Sequence, residues 1–297
     1  MSRIHEALKQ AEQEKALVRA RTDPSRAAAC YAAESEVIAD ANLPTAPSKA
    51  TTPPLVPRFA DLLERSACRE WTLSHAPEIS GPGDESRLAA EQFRTLRSRL
   101  YQLLDGKRQR RILVTSSYPC EGKTFVSNNL SFSLVRQAQK RVLLVDTDLR
   151  AARFGSSTRA DKFAGLTEYL RDEVDEYEIL QKRKDSNLYF LPSGASVSDP
   201  SELLLGDRMK TLLDNITPLF DWVILDSPPT LLVHDAIRLA DLCDGVLFVV
   251  RAGSTDHDSA QKAAAEFRSK NLLGVVLNQV QHSDTRMLYY GYPVETP

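Results

Sequence analysis

Ile112-Leu113-Val114-Thr115-Ser116-Ser117-Tyr118-Pro119-Cys120-Glu121-Gly122-Lys123-Thr124 carries two signals in succession. The apolar residues within 111–115 read as a short strand buried on both faces, and residues 124–139 read as a helix. Between them lies a turn segment that closes on Gly-Lys-Thr. A strand, a loop and Gly-Lys-[Ser/Thr] opening a helix is the arrangement in which loop amides cradle phosphate oxygens. The lysine supplies positive charge and the hydroxyl ligates magnesium. Unpaired N–H groups at the helix start, and the helix dipole, act in the same sense. Ser117 stands where the full pattern GxxxxGK[ST] has its first glycine, so the tripeptide counts only together with its position between strand and helix.

Working outward, two more apolar runs end in carboxylates. Val142 to Val145 leads into Asp146-Thr147-Asp148, and Trp222 to Leu225 leads into Asp226-Ser227-Pro228-Pro229. Each aspartate alone is also explained as a cap on the following helix. Three of them at strand ends, beside Gly-Lys-Thr, point instead to hard oxygen ligands for magnesium held with substrate phosphates and water. Further strands are expected at 188–191, 245–250 and 274–277, with helices at 86–104, 200–216, 234–242 and 258–270. A long irregular region is expected between 146 and 187. Short apolar strands alternating with helices define the fold class as α/β, a three-layer P-loop NTPase fold whose mostly parallel sheet has helices on both faces. The loops that leave the strands' carboxyl ends then share one edge. No GxGxxG follows the first strand, which disfavours dinucleotide-dependent redox chemistry.

The 297 residues carry a formal net charge of −2, against a protein that coats nucleic acid non-specifically. No apolar run reaches the roughly 20 residues that span a bilayer, and no signal region follows the N-terminus, so a cytoplasmic location is expected. Cys30, Cys68, Cys120 and Cys243 form no metal-binding spacing and read as free thiols. Residues 1–21 form a charged helix candidate, read equally as a docking segment or a solvated helix. Residues 22–85 read as a largely irregular Pro/Ala/Ser-rich linker, 86–280 as the P-loop domain and 281–297 as a tyrosine-bearing tail.

Taken together these segments resemble the bacterial tyrosine autokinases of capsule and exopolysaccharide synthesis, within the MinD/ParA-like P-loop ATPases. The likeness runs from about Ser86 to Tyr292 and includes Leu191-Pro-Ser-Gly194, Pro200-Ser-Glu-Leu-Leu204, His234-Asp-Ala236 and Gly274-Val-Val-Leu-Asn278. Cys120 replaces a glycine of the family's loop, and a residue other than glycine tolerates positive φ poorly.

The resemblance implies ATP and Mg2+ as cofactors. It implies catalytic roles for Lys123, Asp146, Asp148 and Asp226, with Asp146 activating the incoming tyrosine hydroxyl, and metal contacts from Thr124, Asp146, Asp148 and Asp226. It assigns nucleotide contacts to Pro119, Cys120, Glu121, Gly122, Lys123, Thr124 and Phe125, and places Asn278 near adenine. It implies phosphate acceptors at Tyr289, Tyr290 and Tyr292, and a homo-oligomer, such as a ring, paired through Glu91, Arg94 and Arg97. It also implies recruitment to the inner face of the membrane by a separate, membrane-anchored activator of the chain-length-determinant type. Two rival readings are a MinD/ParA-like switch ATPase without kinase activity and a nucleotide-sensing scaffold. The switch group carries an extra lysine where this chain has Tyr118.

Overall fold

Alternate residues of the central strands go to opposite layers, and that alternation organises the domain. In β2 (Arg110–Ser116), Ile112 and Val114 join one apolar layer and Leu113 the other. In β3 (Val142–Asp146), Val142 and Leu144 face Leu143 and Val145 in the same way. Both faces are covered, so both sets must be apolar, which is why these strands read as continuous Leu/Ile/Val runs.

The structure is a computed structural model and describes residues 66–69, 79, 84–106, 110–137, 140–150, 164–184 and 186–280. All of them lie in the compact unit Leu55–Pro297. The tyrosine tail, the N-terminal helix candidate and most of the expected linker lie outside the described residues.

The remaining strands are β1 (Ala67–Arg69), β4 (Gln181–Arg183), β5 (Leu188–Leu191), β6 (Trp222–Asp226), β7 (Gly245–Arg251) and β8 (Leu272–Asn278). The eight-stranded sheet has the order β1-β4-β5-β3-β6-β2-β7-β8. Every neighbouring pair is parallel except β4 with β5. The central trio β3-β6-β2 brings the three strands with the chemical motifs side by side.

On one face, α1 (Asp84–Leu103) packs over α2 (Lys123–Val135), and α2 lies on the sheet. Its Val126, Leu130 and Leu134 are buried against Ile112, Leu144, Phe190 and Trp222. The other face is covered by α3 (Leu166–Leu170), α4 (Glu176–Ile179), α5 (Pro200–Leu205), α6 (Asp207–Ile216), α7 (Asp235–Leu239) and α8 (His257–Ala265). Among the described residues no helix is long and apolar enough to cross a membrane.

Three expectations need correction. Residues 200–216 form two helices rather than one, because Gly206 sits at φ −67° and ψ 155°, an extended geometry that ends α5 and begins α6. The stretch between β3 and β5 is not irregular throughout, since α3, α4 and β4 occupy much of 166–183. These elements are short, and β4 is a polar strand (Gln181-Lys182-Arg183), so neither period nor apolar run announces them. The expected linker also reaches too far toward the domain. β1 pairs with β4 along the sheet edge, and the Ile79 amide donates to Asn129 Oδ1 of α2 at 2.9 Å.

At the end of the strands opposite the phosphate loop, Arg111 joins several elements. Its guanidinium donates to Thr217 Oγ1 at 2.7 Å, to the Leu213 carbonyl at 3.0 Å, to the Leu242 carbonyl at 3.3 Å and to Asp214 at 2.8 Å. The guanidinium thus ties the end of α6 to the segment that precedes β7. Arg111→Ala removes these hydrogen bonds, although the Leu213 carbonyl keeps the Thr217 amide and hydroxyl, and should lower the unfolding free energy by about 1–3 kcal/mol. Urea denaturation of the wild-type and variant proteins measures this directly, and an unchanged midpoint contradicts it.

Candidate nucleotide-binding site

The site grows from strand order. Asp146 ends β3, Asp226 ends β6, and the two are register partners on adjacent parallel strands. Their Cα atoms are therefore about 5 Å apart. Asp226 also pairs with Val114 of β2, the strand that feeds the phosphate loop. The expected acidic groups thus meet the loop because three parallel strands are neighbours.

Asp226 is the point where sheet and helix join. Thr124 Oγ1 donates to its Oδ2 at 2.7 Å and Ser127 Oγ to its Oδ1 at 3.0 Å. The Asp226 carbonyl accepts from both the amide and the hydroxyl of Thr147, at 2.9 and 2.7 Å. Ser127 was not singled out from sequence. Its signal was present, since it stands three residues after Thr124 and a helix puts such residues on one face.

Lys123 is buried at the start of α2, with Nζ 3.9 Å from Asp148 Oδ2. Asp146 is fully buried. Its Oδ1 accepts from the Asp148 amide at 3.1 Å, whereas its Oδ2 has no hydrogen-bond partner. Burial, reinforced by the charge of Asp226, pushes the Asp146 carboxyl well above the usual carboxylate range. Burial raises Asp226 as well, to about 6, with Lys123 and the Thr124 and Ser127 hydrogen bonds opposing the shift.

The loop itself turns through two left-handed residues, Cys120 at φ 63° and Gly122 at φ 92°. Glycine is required at 122 for space as well, because a Cβ there would lie 1.9 Å from Asn278 Nδ2. Cys120 is exposed and carries the strain expected where the resembling loops have glycine. Among the described residues, the amides of residues 120–124 donate to no acceptor within the chain. These amides are the groups that the N-terminus of α2 can offer to phosphate.

The other expected site residues divide. Asn278, the last residue of β8, lies against the loop and donates from Nδ2 to the Glu121 carbonyl at 2.9 Å. Phe125 turns its ring to Phe93, edge-on at 6.0 Å between centroids, so its side chain serves packing. Glu121 is buried and takes both its hydrogen bonds from protein groups. Glu91 and Arg94 pair with each other on the exposed side of α1 at 2.7 Å, and Arg97 donates to the Ser133 carbonyl of α2 at 2.6 Å. Tyr289, Tyr290 and Tyr292 lie outside the described residues.

A contact that the sequence did not announce is that of Arg150, which joins the segment after Asp148 to buried Asp235 at 3.4 Å and to Ser201 at 3.1 Å. Asp235 in turn accepts from Ser201 at 2.6 Å. Eighty-five positions separate Arg150 from Asp235, and no local pattern links them.

A phosphate loop at the start of a buried helix, with carboxylates at the ends of neighbouring parallel strands, defines a P-loop nucleotide-binding protein. Residues 111–256 match the family described as AAA domain. The chain is 33% identical over 211 residues to the tyrosine-protein kinase YwqD of Bacillus subtilis (strain 168), covering 69% of this chain and 86% of that protein. The tyrosine-protein kinase ptk of Acinetobacter johnsonii is 31% identical over 198 residues, 66% of this chain but only 27% of that longer protein. The kinase domain of the Escherichia coli tyrosine kinase ETK superposes with a TM-score of 0.58 at 28% identity, over 65% of this chain and 78% of that one. The chain belongs to the bacterial tyrosine-protein kinases.

Two outcomes follow from the site's physics. Cys120→Gly removes a left-handed penalty of about 1–2 kcal/mol. Glycine's greater unfolded-state entropy takes back roughly 0.5–1 kcal/mol. The nucleotide-free variant should therefore be more stable by up to about 1.5 kcal/mol, and a thermal midpoint below wild type contradicts the strain. For a carboxyl whose folded pKa is raised, the penalty is absent below its ordinary value, grows as pH rises from there and is complete above the raised one. Asp146→Asn should accordingly stabilise the nucleotide-free protein at neutral pH by about 1–3 kcal/mol while abolishing phosphoryl transfer. Denaturation and activity measured on the same preparation test that opposition.

Proposed function

We propose that the chain transfers the γ-phosphoryl group of ATP to tyrosines of its own C-terminal cluster, Tyr289, Tyr290 and Tyr292, presented by another copy of the chain. The observation that supports this is the convergence of Lys123, Asp148, Asp146 and Asp226 on the start of α2, with Asp146 Oδ2 buried and unpartnered. In the transfer, the tyrosine oxygen bonds to the γ-phosphorus, the bond to the β–γ bridging oxygen breaks and ADP leaves. The phenolic proton passes to the ionised Asp146 carboxylate, which burial makes a stronger proton acceptor than an ordinary carboxylate. Lys123 and the open loop amides hold the β- and γ-phosphate oxygens in place. Positioning and charge neutralisation are most of what phosphoryl transfer asks of a protein.

The donor set suits Mg2+, which when bound neutralises phosphate charge. Thr124 Oγ1 and the carboxylates of Asp226, Asp148 and Asp146 are hard oxygen donors. Among the described residues no group of three or more His, Cys, Asp or Glu side chains could hold a metal ion by itself. Phosphate and water oxygens would therefore complete the cation's shell. On this reading Asn278 lies on the base side of the loop, where its amide already touches Gly122. Glu91, Arg94 and Arg97 lie along one helix and would exchange internal partners for a neighbouring subunit's groups on assembly. A membrane-anchored activator, recruitment to the inner face of the membrane and control of exopolysaccharide or capsule polymerisation complete the proposal, and these rest on the family resemblance.

Incubation with labelled ATP and Mg2+, followed by phosphopeptide mapping, should place label on Tyr289, Tyr290 or Tyr292. Lys123→Met should reduce it by at least about a hundredfold, as loss of a charged group that acts in the transition state does. Mixing Lys123→Met with a chain in which all three tyrosines are Phe should restore label on the former, because transfer runs between copies. Hydrolysis of ATP with no tyrosine label, with an authentic activator present, favours the switch-ATPase reading instead.

A further inference from the structure

A glutamate inside a phosphate-binding loop is an electrostatic puzzle. A carboxylate aimed at a polyphosphate would repel it, and in a site sheltered from water the repulsion is poorly screened. Glu121 is nevertheless the residue immediately before Gly122-Lys123-Thr124, and its side chain is 2% exposed. The structure resolves the conflict through direction. Oε2 accepts from the Tyr118 amide at 2.7 Å, within the loop. Oε1 accepts from the hydroxyl of Thr255, 134 positions away in the segment between β7 and α8. Both carboxylate oxygens therefore have protein donors.

Other contacts cross the same gap. The Asn278 amide donates to the Glu121 carbonyl, and the Tyr118 hydroxyl lies 3.1 Å from Ser259 Oγ, in the first turn of α8. The Thr255 side is itself fixed. Its amide donates to the Arg251 carbonyl at 3.2 Å, the Ala252 amide donates to the Asn278 carbonyl at 2.8 Å, and Asp256 caps α8 by accepting from the Ser259 amide at 2.8 Å. A loop with a strained left-handed residue at Cys120 and open amides at its apex thus rests against a braced wall.

We propose that Glu121 and Thr255 form a latch that positions the phosphate loop. Glu121 is a positioning residue. It orients the amides of residues 120–124 toward phosphate through the loop backbone and does not itself touch the nucleotide. This replaces the sequence-based expectation that Glu121 is a nucleotide contact. The same latch makes the segment 253–259 the structure through which a change at the start of α8 reaches the phosphates. The proposal rests on the phosphate-site reading and is independent of which hydroxyl receives the phosphoryl group.

The test uses the full chain and binding of ADP with Mg2+ by calorimetry, at a temperature below the lowest thermal midpoint in the set. Glu121→Ala should weaken binding about tenfold or more, the scale of losing hydrogen bonds to a charged group. Glu121→Gln should recover most of that loss, because its amide oxygen can accept from the Tyr118 amide and its NH2 can donate to the Thr255 hydroxyl. Thr255→Val should weaken binding by a smaller factor, and the Glu121→Ala/Thr255→Val double variant should be no weaker than Glu121→Ala alone, because contacting partners are not additive. A purely structural role would lower the thermal midpoint while leaving the folded protein's affinity unchanged. Wild-type affinity in Glu121→Ala, a glutamine variant as weak as alanine, or full additivity overturns the latch. Should Glu121→Ala fail to fold, Thr255→Val decides, and wild-type affinity there overturns the latch equally. Failure of the wild-type chain to bind ADP and Mg2+ overturns the latch and the phosphate-site reading together. Binding without tyrosine label leaves the latch standing and removes only the proposed acceptor.

Discussion

Asp226 accepts hydrogen bonds from Thr124 and Ser127 while ending the strand that lies between β2 and β3. Much of the site follows from that junction. It ties the first turn of α2 to the middle of the sheet, so the Gly-Lys-Thr segment cannot shift without breaking contacts to a buried carboxylate. It also puts a negative charge beside Asp146, its register partner. Two carboxylates at adjacent strand ends, both nearly inaccessible to water, are an unfavourable arrangement for stability. Lys123 lowers the pKa of Asp226, and hydroxyls complete part of its hydrogen bonding. The Asp146 oxygen that remains without a partner marks where the domain's interactions are incomplete.

The phosphate loop shows how tertiary contacts can carry an unfavourable local sequence. Ser117 stands at the first glycine position of the general GxxxxGK[ST] pattern, and Cys120, which is not a glycine either, takes the left-handed conformation all the same. Local preference alone would not hold it there. Glu121, Asn278 and Tyr118 bind the loop to the ends of β8 and the start of α8, and those elements are themselves buttressed by β7. The energy that holds the loop is thus drawn from contacts more than a hundred positions away in the chain.

Membership in the bacterial tyrosine-protein kinases fits this construction. The matched segment accounts for most of the Bacillus relative and only 27% of the Acinetobacter one, so the same catalytic domain occurs in chains of very different length. Residues 111–256, which hold the phosphate loop and the three strand-end carboxylates, are the part matched to the family model.

Much of the architecture was legible from residue order. Continuous apolar runs specified the buried parallel strands, because a strand covered on both faces cannot alternate with polar residues. Aspartates at the ends of those runs, and Gly-Lys-Thr between a strand and a helix, located the site's chemistry. The elements that escaped notice were short or polar. β4 is Gln-Lys-Arg, and the break at Gly206 lies inside a stretch whose helical spacing continues on both sides. Sequence by itself determined which groups were available: a lysine, a threonine and three carboxylates at the strand ends. Only the tertiary structure decided which groups face one another. Strand order made Asp146 and Asp226 neighbours, and the approach of the segment before α8 gave both Glu121 carboxylate oxygens protein donors. The reason is physical: periodicity and motif spacing report on neighbours along the chain, while charge coupling and loop support depend on neighbours across it.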